Sequence, residues 1–194
     1  MKIAVISGSH RACETDRISL FVKEELEKKG VEVFHYSLKD NPLPLWSEDA
    51  WDDESDLVKN TLNDLQENIS SCDAYVVMSP EWGGMVTPGL KNFMLMSGGF
   101  MFKPAYLIGV SASRGGAYPI AELRMSSYKN NQIMYLPEHL IVRDCANMFN
   151  DKADDSYLRK RLDYGLNLLI KHAELLAPLQ DSGLINLEDY PYGM

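Results

Sequence analysis

The chain has little of what marks secreted, membrane-spanning or nucleic-acid-binding proteins. Only three cysteines, Cys13, Cys72 and Cys145, occur in 194 residues. They are odd in number and far apart, with no C-x-x-C, so neither a dithiol redox pair nor a zinc knuckle is indicated. No run approaches the ~20 apolar residues a membrane span needs. The apolar N-terminal run ends at Gly8, too short for a signal h-region, and the cytoplasm is the expected compartment. Bases are scarce too: 19 Lys and Arg face 28 Asp and Glu, a net charge of −9. Seven of those acids (Asp40, Glu48, Asp49, Asp52, Asp53, Glu54, Asp56) fall in residues 40–56, which hold no base. The rest of the chain is close to neutral. With no basic stripe to displace counterions, nucleic acid is not an expected partner, and neither is an anionic membrane. His10, His35, His139 and His172 show no ligand spacing, so no metal site is expected. His35 reads as a strand residue and His172 as part of a solvated helix face.

What remains is an ordinary globular composition, 45% hydrophobic and 24% charged, at a length that fits one domain over 1–194. Folding such a chain buries roughly 70% of its unfolded surface, enough for a core without staples. Short apolar runs alternate with helical periodicity. Lys2–Ser7, Val31–Ser37, Ala74–Ser79, Ala105–Ser111 and His139–Val142 read as strands. Helices are predicted through Ile18–Leu26, Leu57–Ile69, from Pro88 with Thr87 as N-cap, over Ala117–Lys129 and through Leu158–Leu176. Residues 40–56, with Pro42, Pro44, Trp46 and Trp51, form a long loop: solvated surface, or a tryptophan lid over a ligand or against a second subunit. Five buried strands separated by helices imply a parallel sheet covered on both faces. Ligands of such sheets bind beyond the carboxyl ends of the strands.

Three segments lie there. Gly8-Ser9-His10-Arg11-Ala12-Cys13-Glu14-Thr15-Asp16-Arg17 combines hydroxyls, a guanidinium and helix N-terminal amides, the makings of a phosphate cradle. It matches neither G-x-G-x-x-G nor the Walker pattern. Ser79-Pro80-Glu81-Trp82-Gly83-Gly84-Met85-Val86-Thr87-Pro88-Gly89-Leu90-Lys91-Asn92 places an aromatic and two glycines at a strand end, suiting a flat ligand. Gly109-Val110-Ser111-Ala112-Ser113-Arg114-Gly115-Gly116 is one glycine short of a nucleophile elbow. A competing reading therefore makes Ser111 a hydrolase nucleophile with Asp144 and His172.

The first two segments resemble the NAD(P)H-dependent FMN reductase family of flavodoxin-like flavoproteins. Its G-S-x-R phosphate loop is matched by Gly8, Ser9 and Arg11. Its P-E-Y-N-G-S-…-P-x-L-K-N string is matched by Pro80, Glu81, Gly84, Pro88, Leu90, Lys91 and Asn92. The resemblance implies an α/β flavodoxin-like three-layer sandwich, a five-stranded parallel sheet of order 2-1-3-4-5 with helices on both faces. It implies FMN as cofactor and NADPH or NADH as co-substrate, with no preference legible. The phosphate would meet Ser9, Arg11, Thr15, Asp16 and Arg17. The ring would meet Pro80, Glu81, Trp82, Gly83, Gly84, Met85, Ser111, Ser113 and Gly115. Glu14, Thr15 and Asp16 stand where the family often has serines or asparagine, so Thr15, backbone amides and Arg17 are the expected phosphate contacts. Trp82 and Gly83 replace a tyrosine and an asparagine. No side chain is expected to be catalytic, since the flavin carries the chemistry. The acceptor would be a small molecule such as free flavin, a quinone or an azo compound. A flavodoxin-type carrier without NAD(P)H activity is the alternative within the same fold. The resemblance also implies a homodimer or homotetramer. The apolar cluster Phe93, Met94, Leu95, Met96, Phe100, Met101 and Phe102 is read as half core and half subunit interface.

Overall fold

The computed structural model describes residues 1–151 and 154–190. The ends of the expected 1–194 domain at residues 191–194 lie outside that range. Strand β1 (Lys2–Ser7) leads into α1 (Glu14–Glu27), β2 (Glu32–Ser37), α2 (Asn63–Ser70), β3 (Ala74–Trp82) and β4 (Met85–Val86). Then follow α3 (Pro88–Met96), β5 (Pro104–Val110), α4 (Ala117–Ser126), β6 (Met134–Val142) and α5 (Ser156–Gln180). Five strands pair in parallel in the order β2-β1-β3-β5-β6. Numbered without the two-residue β4, this is the predicted 2-1-3-4-5. Strand β4 is an addition, antiparallel to the tip of β3.

Period-two alternation within fully buried strands sends neighbouring side chains to opposite helical layers. Ile3, Val5, Val76, Met78 and Ile108 meet Ile18, Val22 and Leu26 of α1 and Leu162, Leu166 and Leu169 of α5. Ala4, Ile6, Val77 and Leu107 meet Ile69, Leu90, Phe93, Ile120 and Leu123 of α2, α3 and α4. Each such side chain contributes about 1.5–3 kcal/mol by leaving water. Inside α5 a glycine is required: a Cβ on Gly165 would lie 2.3 Å from Cζ of the buried Tyr106 ring. Burial raises the Tyr106 phenol far above its usual range.

Several boundaries differ from the sequence expectation. Strand β3 runs to Trp82, not Ser79, because its last two residues pair with β4. Strand β6 begins at Met134, not His139, and takes Pro137 because it is an edge strand paired only with β5. Helix α4 stops at Ser126, short of Lys129, and α2 is preceded by a π turn at Val58–Leu62. The apolar cluster after Thr87 is mostly core. Phe93, Met94, Met96 and Phe100 are buried, Met101 and Phe102 are half-buried, and Leu95 alone is strongly exposed.

The acidic segment contains a 3-10 turn, Glu48–Trp51, and is docked on α3. Buried Asn92 donates through Nδ2 to the Pro44 carbonyl at 2.6 Å and accepts the Trp46 amide at 2.8 Å. Leu43 and Ala50 pack against Met96. Among the described residues no helix is long and apolar enough to cross a membrane.

Candidate functional site

Three turns converge beyond the carboxyl ends of β1, β3 and β5. The first is pinned at both sides of Gly8. Its amide donates to the Met78 carbonyl at 2.9 Å, and its own carbonyl accepts the Thr87 hydroxyl at 2.5 Å. A Cβ at Gly8 would sit 2.5 Å from the Met78 oxygen, so only glycine fits. Buried Ser9 closes the turn: its hydroxyl donates to the Arg11 carbonyl at 3.1 Å and accepts from Cys13 Sγ at 3.0 Å. Among the described residues no side chain caps α1, which leaves its first amides and the positive end of its dipole for an anion.

The two acids in that first turn are tied back. Glu14 pairs with Arg17 at 2.5 Å. Asp16 accepts the Ser37 hydroxyl at 2.6 Å and the Lys39 ammonium at 3.1 Å. Burial pushes the Asp16 carboxyl up, but Ser37 and Lys39 outweigh it and hold it below the usual range. Arg17 is also engaged, donating to the carbonyls of Cys145, Met148 and Phe149 at 2.8–2.9 Å. Thus the structure brings Ser9, Arg11 and buried Thr15 to the mouth of the turn, while Asp16 and Arg17 bond to neighbouring elements. The Thr15 hydroxyl makes no hydrogen bond among the described residues.

The second turn joins β3 to β4 through Gly83 and Gly84, both left-handed with φ of 57° and 75°. Trp82 meets the first turn here. The His10 ring stands edge-on to it with centroids 4.5 Å apart, and the Arg11 guanidinium lies 5.3 Å from its centroid. Behind the hairpin, the Val86 amide donates to Glu122 at 2.7 Å, and Lys91 pairs with the same carboxylate. Burial raises Glu122, but Lys91 and that amide hold it below the usual range.

The third turn is closed by Ser111, whose hydroxyl accepts the amides of Ser113 and Gly115, each at 3.2 Å. Glu81 joins it to the second turn by accepting the Gly116 amide at 2.5 Å. A Cβ on Gly115 would lie 2.6 Å from that carboxylate. Pro80, Glu81, Trp82, Gly83, Gly84 and Met85 thus share one locus with Ser111, Ser113 and Gly115. The hydrolase triad does not form. The Ser111 hydroxyl is held by its own turn, Asp144 accepts the Asn147 amide at 3.0 Å, and His172 Nδ1 donates to the Leu168 carbonyl at 2.8 Å. Among the described residues no hydrogen bond joins the three.

Two residues to which the sequence assigns no contact lie among these turns. His10 sits inside the first segment, between Ser9 and Arg11, and packs on Trp82. Arg143 follows the carboxyl end of β6, where the strand-end rule points, and donates through Nε to the Gly115 carbonyl at 3.1 Å. A cavity of about 610 Å³ lies instead near the amino ends of β5 and β6, lined by Phe102, Tyr128, Met134, Leu179 and Tyr190. It contains none of these residues. The turns fit FMN on their own geometry: an uncapped helix end beside exposed Arg11 suits a phosphate, and Gly83 and Gly84 leave room against a flat ring.

The model of the NADPH-dependent FMN reductase family matches residues 1–147, a span that contains all three turns. The chain belongs to that family. It is an FMN-dependent oxidoreductase that uses NAD(P)H. Among curated relatives, the FMN-dependent NADPH-azoreductase of Staphylococcus saprophyticus is 28% identical over 128 residues, covering 64% of this chain and 68% of that protein. The solved structure of FerB, a flavoenzyme NAD(P)H:(acceptor) oxidoreductase from Paracoccus denitrificans, superposes with a TM-score of 0.70. It is 20% identical and covers 89% of this chain and 97% of its own. An NADH:FMN oxidoreductase, EMOB, in its apo form gives a TM-score of 0.66 at 16% identity, covering 87% of each chain. At these identities the two structures speak for the fold. The match ends before α5, the helix that completes the α1 layer.

Proposed function

We propose that FMN binds across the three turns of a single domain, its phosphate at Gly8–Thr15 and its ring at Pro80–Met85 and Ser111–Gly115. The observation that carries this reading is their mutual locking: His10 and Arg11 on Trp82, and Glu81 on the Gly116 amide. Ser9, Arg11, Thr15 and the α1 amides hold the phosphate. Asp16 and Arg17 act one step back, Asp16 by fixing β2 and Arg17 by fixing the turn after β6. Trp82 and Met85 offer apolar surface to the ring, and the glycines let the backbone approach its edge. Bound there, FMN supplies the redox chemistry, taking hydride from NADPH and passing it to an acceptor. The chain's residues orient that ring and leave one face open, so donor product leaves before acceptor enters.

The acceptors in this reading are small molecules: an azo compound, a quinone or free flavin. The curated azoreductase relative supports the first. The reading also includes a cytoplasmic homodimer or homotetramer. Leu95 on α3 and Tyr118 and Met125 on α4 are each about 70% exposed, and Met85 of the ring turn is half-exposed. A second copy covering that face would bury an apolar patch next to the flavin. The test is anaerobic mixing of the FMN-loaded protein with NADPH. Prompt bleaching of the flavin band, reversed by a quinone or azo dye, is expected. A band that bleaches with dithionite but not with NADPH would instead make the protein a flavodoxin-type carrier.

A further inference from the structure

The site is electrically lopsided. In the order β2-β1-β3-β5-β6, strands β2 and β6 are opposite edges of the sheet. The acidic segment 40–56 follows β2, whereas Arg114 follows β5 and Arg143 follows β6. The cations beside the acidic edge are engaged, Lys39 with Asp16 and Asp40 and Lys59 with Glu54. Those at the other edge are open. Arg114 is exposed and makes no hydrogen bond or ion pair among the described residues. Arg143 is exposed and uses only Nε, which places its guanidinium against the Gly115 carbonyl and leaves the terminal nitrogens outward. The carboxylates nearest this pair are bonded to neutral donors, Glu81 to the Gly116 amide and Asp144 to the Asn147 amide. Helix α4 begins at this point, and its N-cap Gly116 provides no side-chain cap. Two guanidiniums therefore face solvent beside the ring turn.

We propose that Arg114 and Arg143 hold the 2′-phosphate of NADPH and thereby set a preference for NADPH over NADH. The inference rests on the flavin placement above. The 2′-phosphate adds a charge of about −1.5 to −2 that NADH lacks. The acidic edge repels that charge, so the dinucleotide lies across the ring with its adenosine end toward β5 and β6. Arg143, pinned through Gly115 to the turn that Glu81 holds, gives this cation a fixed position. Arg114, free to turn, closes on the phosphate from the other side.

The experiment compares the FMN-loaded wild type with R114A/R143A and with the charge-conserving R114K/R143K. In the double alanine variant the ratio of kcat/KM for NADPH to that for NADH should fall about 10-fold or more, carried by KM for NADPH. Calorimetric binding of adenosine 2′,5′-bisphosphate should weaken by a similar factor, with 5′-AMP little affected. The lysine variant should retain most of the preference. Equal losses for NADPH and NADH, or an unaltered ratio, in protein that keeps its flavin would overturn the assignment. Flavin content, read from its visible absorption, separates the two levels. A wild type that takes up no FMN contradicts the cofactor placement, whereas a flavin-replete variant with an unchanged ratio contradicts only the arginine pair.

Discussion

Arg11 touches both halves of the proposed cofactor site. Its backbone closes the Ser9 turn, and its guanidinium covers Trp82 of the neighbouring turn. Arg11→Ala therefore removes a charge-assisted phosphate contact of about 1.5–3 kcal/mol, and FMN affinity should fall roughly 10- to 150-fold. Riboflavin, which has no phosphate, should lose much less. Fluorescence titration of both ligands checks this, and equal losses would remove Arg11 from the phosphate. At this scale the sequence was legible where a residue acts on its immediate neighbours, as Ser9 does on Arg11 and Cys13. Glu81 and Gly115 were legible only through the motifs that carry them, since the contact between their turns spans 35 positions. Arg17 was not legible, because the carbonyls it serves lie 128–132 positions away. Nothing near Arg17 in sequence announces Cys145, Met148 or Phe149.

At the scale of elements, Thr87 connects three of them. Its side chain caps α3 by accepting the Leu90 amide at 3.4 Å and donates to the Gly8 carbonyl behind β1. Thr87→Ala leaves a buried carbonyl and a helix amide without partners, a loss of about 1–3 kcal/mol. Thr87→Ser should restore most of it. Urea denaturation midpoints of the two variants decide the matter, and an alanine variant as stable as wild type would show the cap to be dispensable. Element reading from sequence succeeded where burial was continuous. Lys2–Ser7 is apolar from Ile3 to Ile6 and is found as predicted. It failed where a strand carries turn-like residues. Pro80 and Glu81 hid the end of β3, and Pro137 and Glu138 hid the first half of β6. Both are strands because a neighbouring strand supplies their pairing.

Across the whole molecule, two half-buried groups at the β1–β2 side make stability depend on pH in the same direction. Burial lowers the His35 imidazole from its ordinary 6.5, and its Nε2 lies 2.8 Å from the Ser19 hydroxyl. The Asp16 carboxyl is held below its ordinary 3.8. A group whose folded pKa is depressed stabilises fully above its unfolded value and loses that contribution as pH falls through the folded one. The urea midpoint should thus decline in two stages, below about 6.5 for His35 and below about 3.8 for Asp16. His35→Gln should abolish the upper stage, and Asp16→Asn should diminish the lower, to which Glu122 also contributes. A midpoint that stays constant through both windows would show that neither group is linked to folding. The global arrangement was readable in advance because alternating strands and helices leave few ways to cover a parallel sheet. The charge asymmetry across the site was only half readable: the expected order already puts the acidic segment at one edge, but the pairings that engage Lys39 and Lys59 and leave Arg114 open appear only in the fold.

Tyr106 and Gly165 come from distant parts of the chain, yet the ring of one occupies the volume that a methyl group on the other would need. Alanine is the better helix former by about 1 kcal/mol, so the missing methyl reflects shape rather than propensity. Neither position can be chosen alone. A smaller residue at 106 opens a hole, a larger one at 165 collides, and only the paired exchange keeps the volume constant. Substitution effects at these two sites are therefore epistatic, and their separate values do not sum to that of the pair.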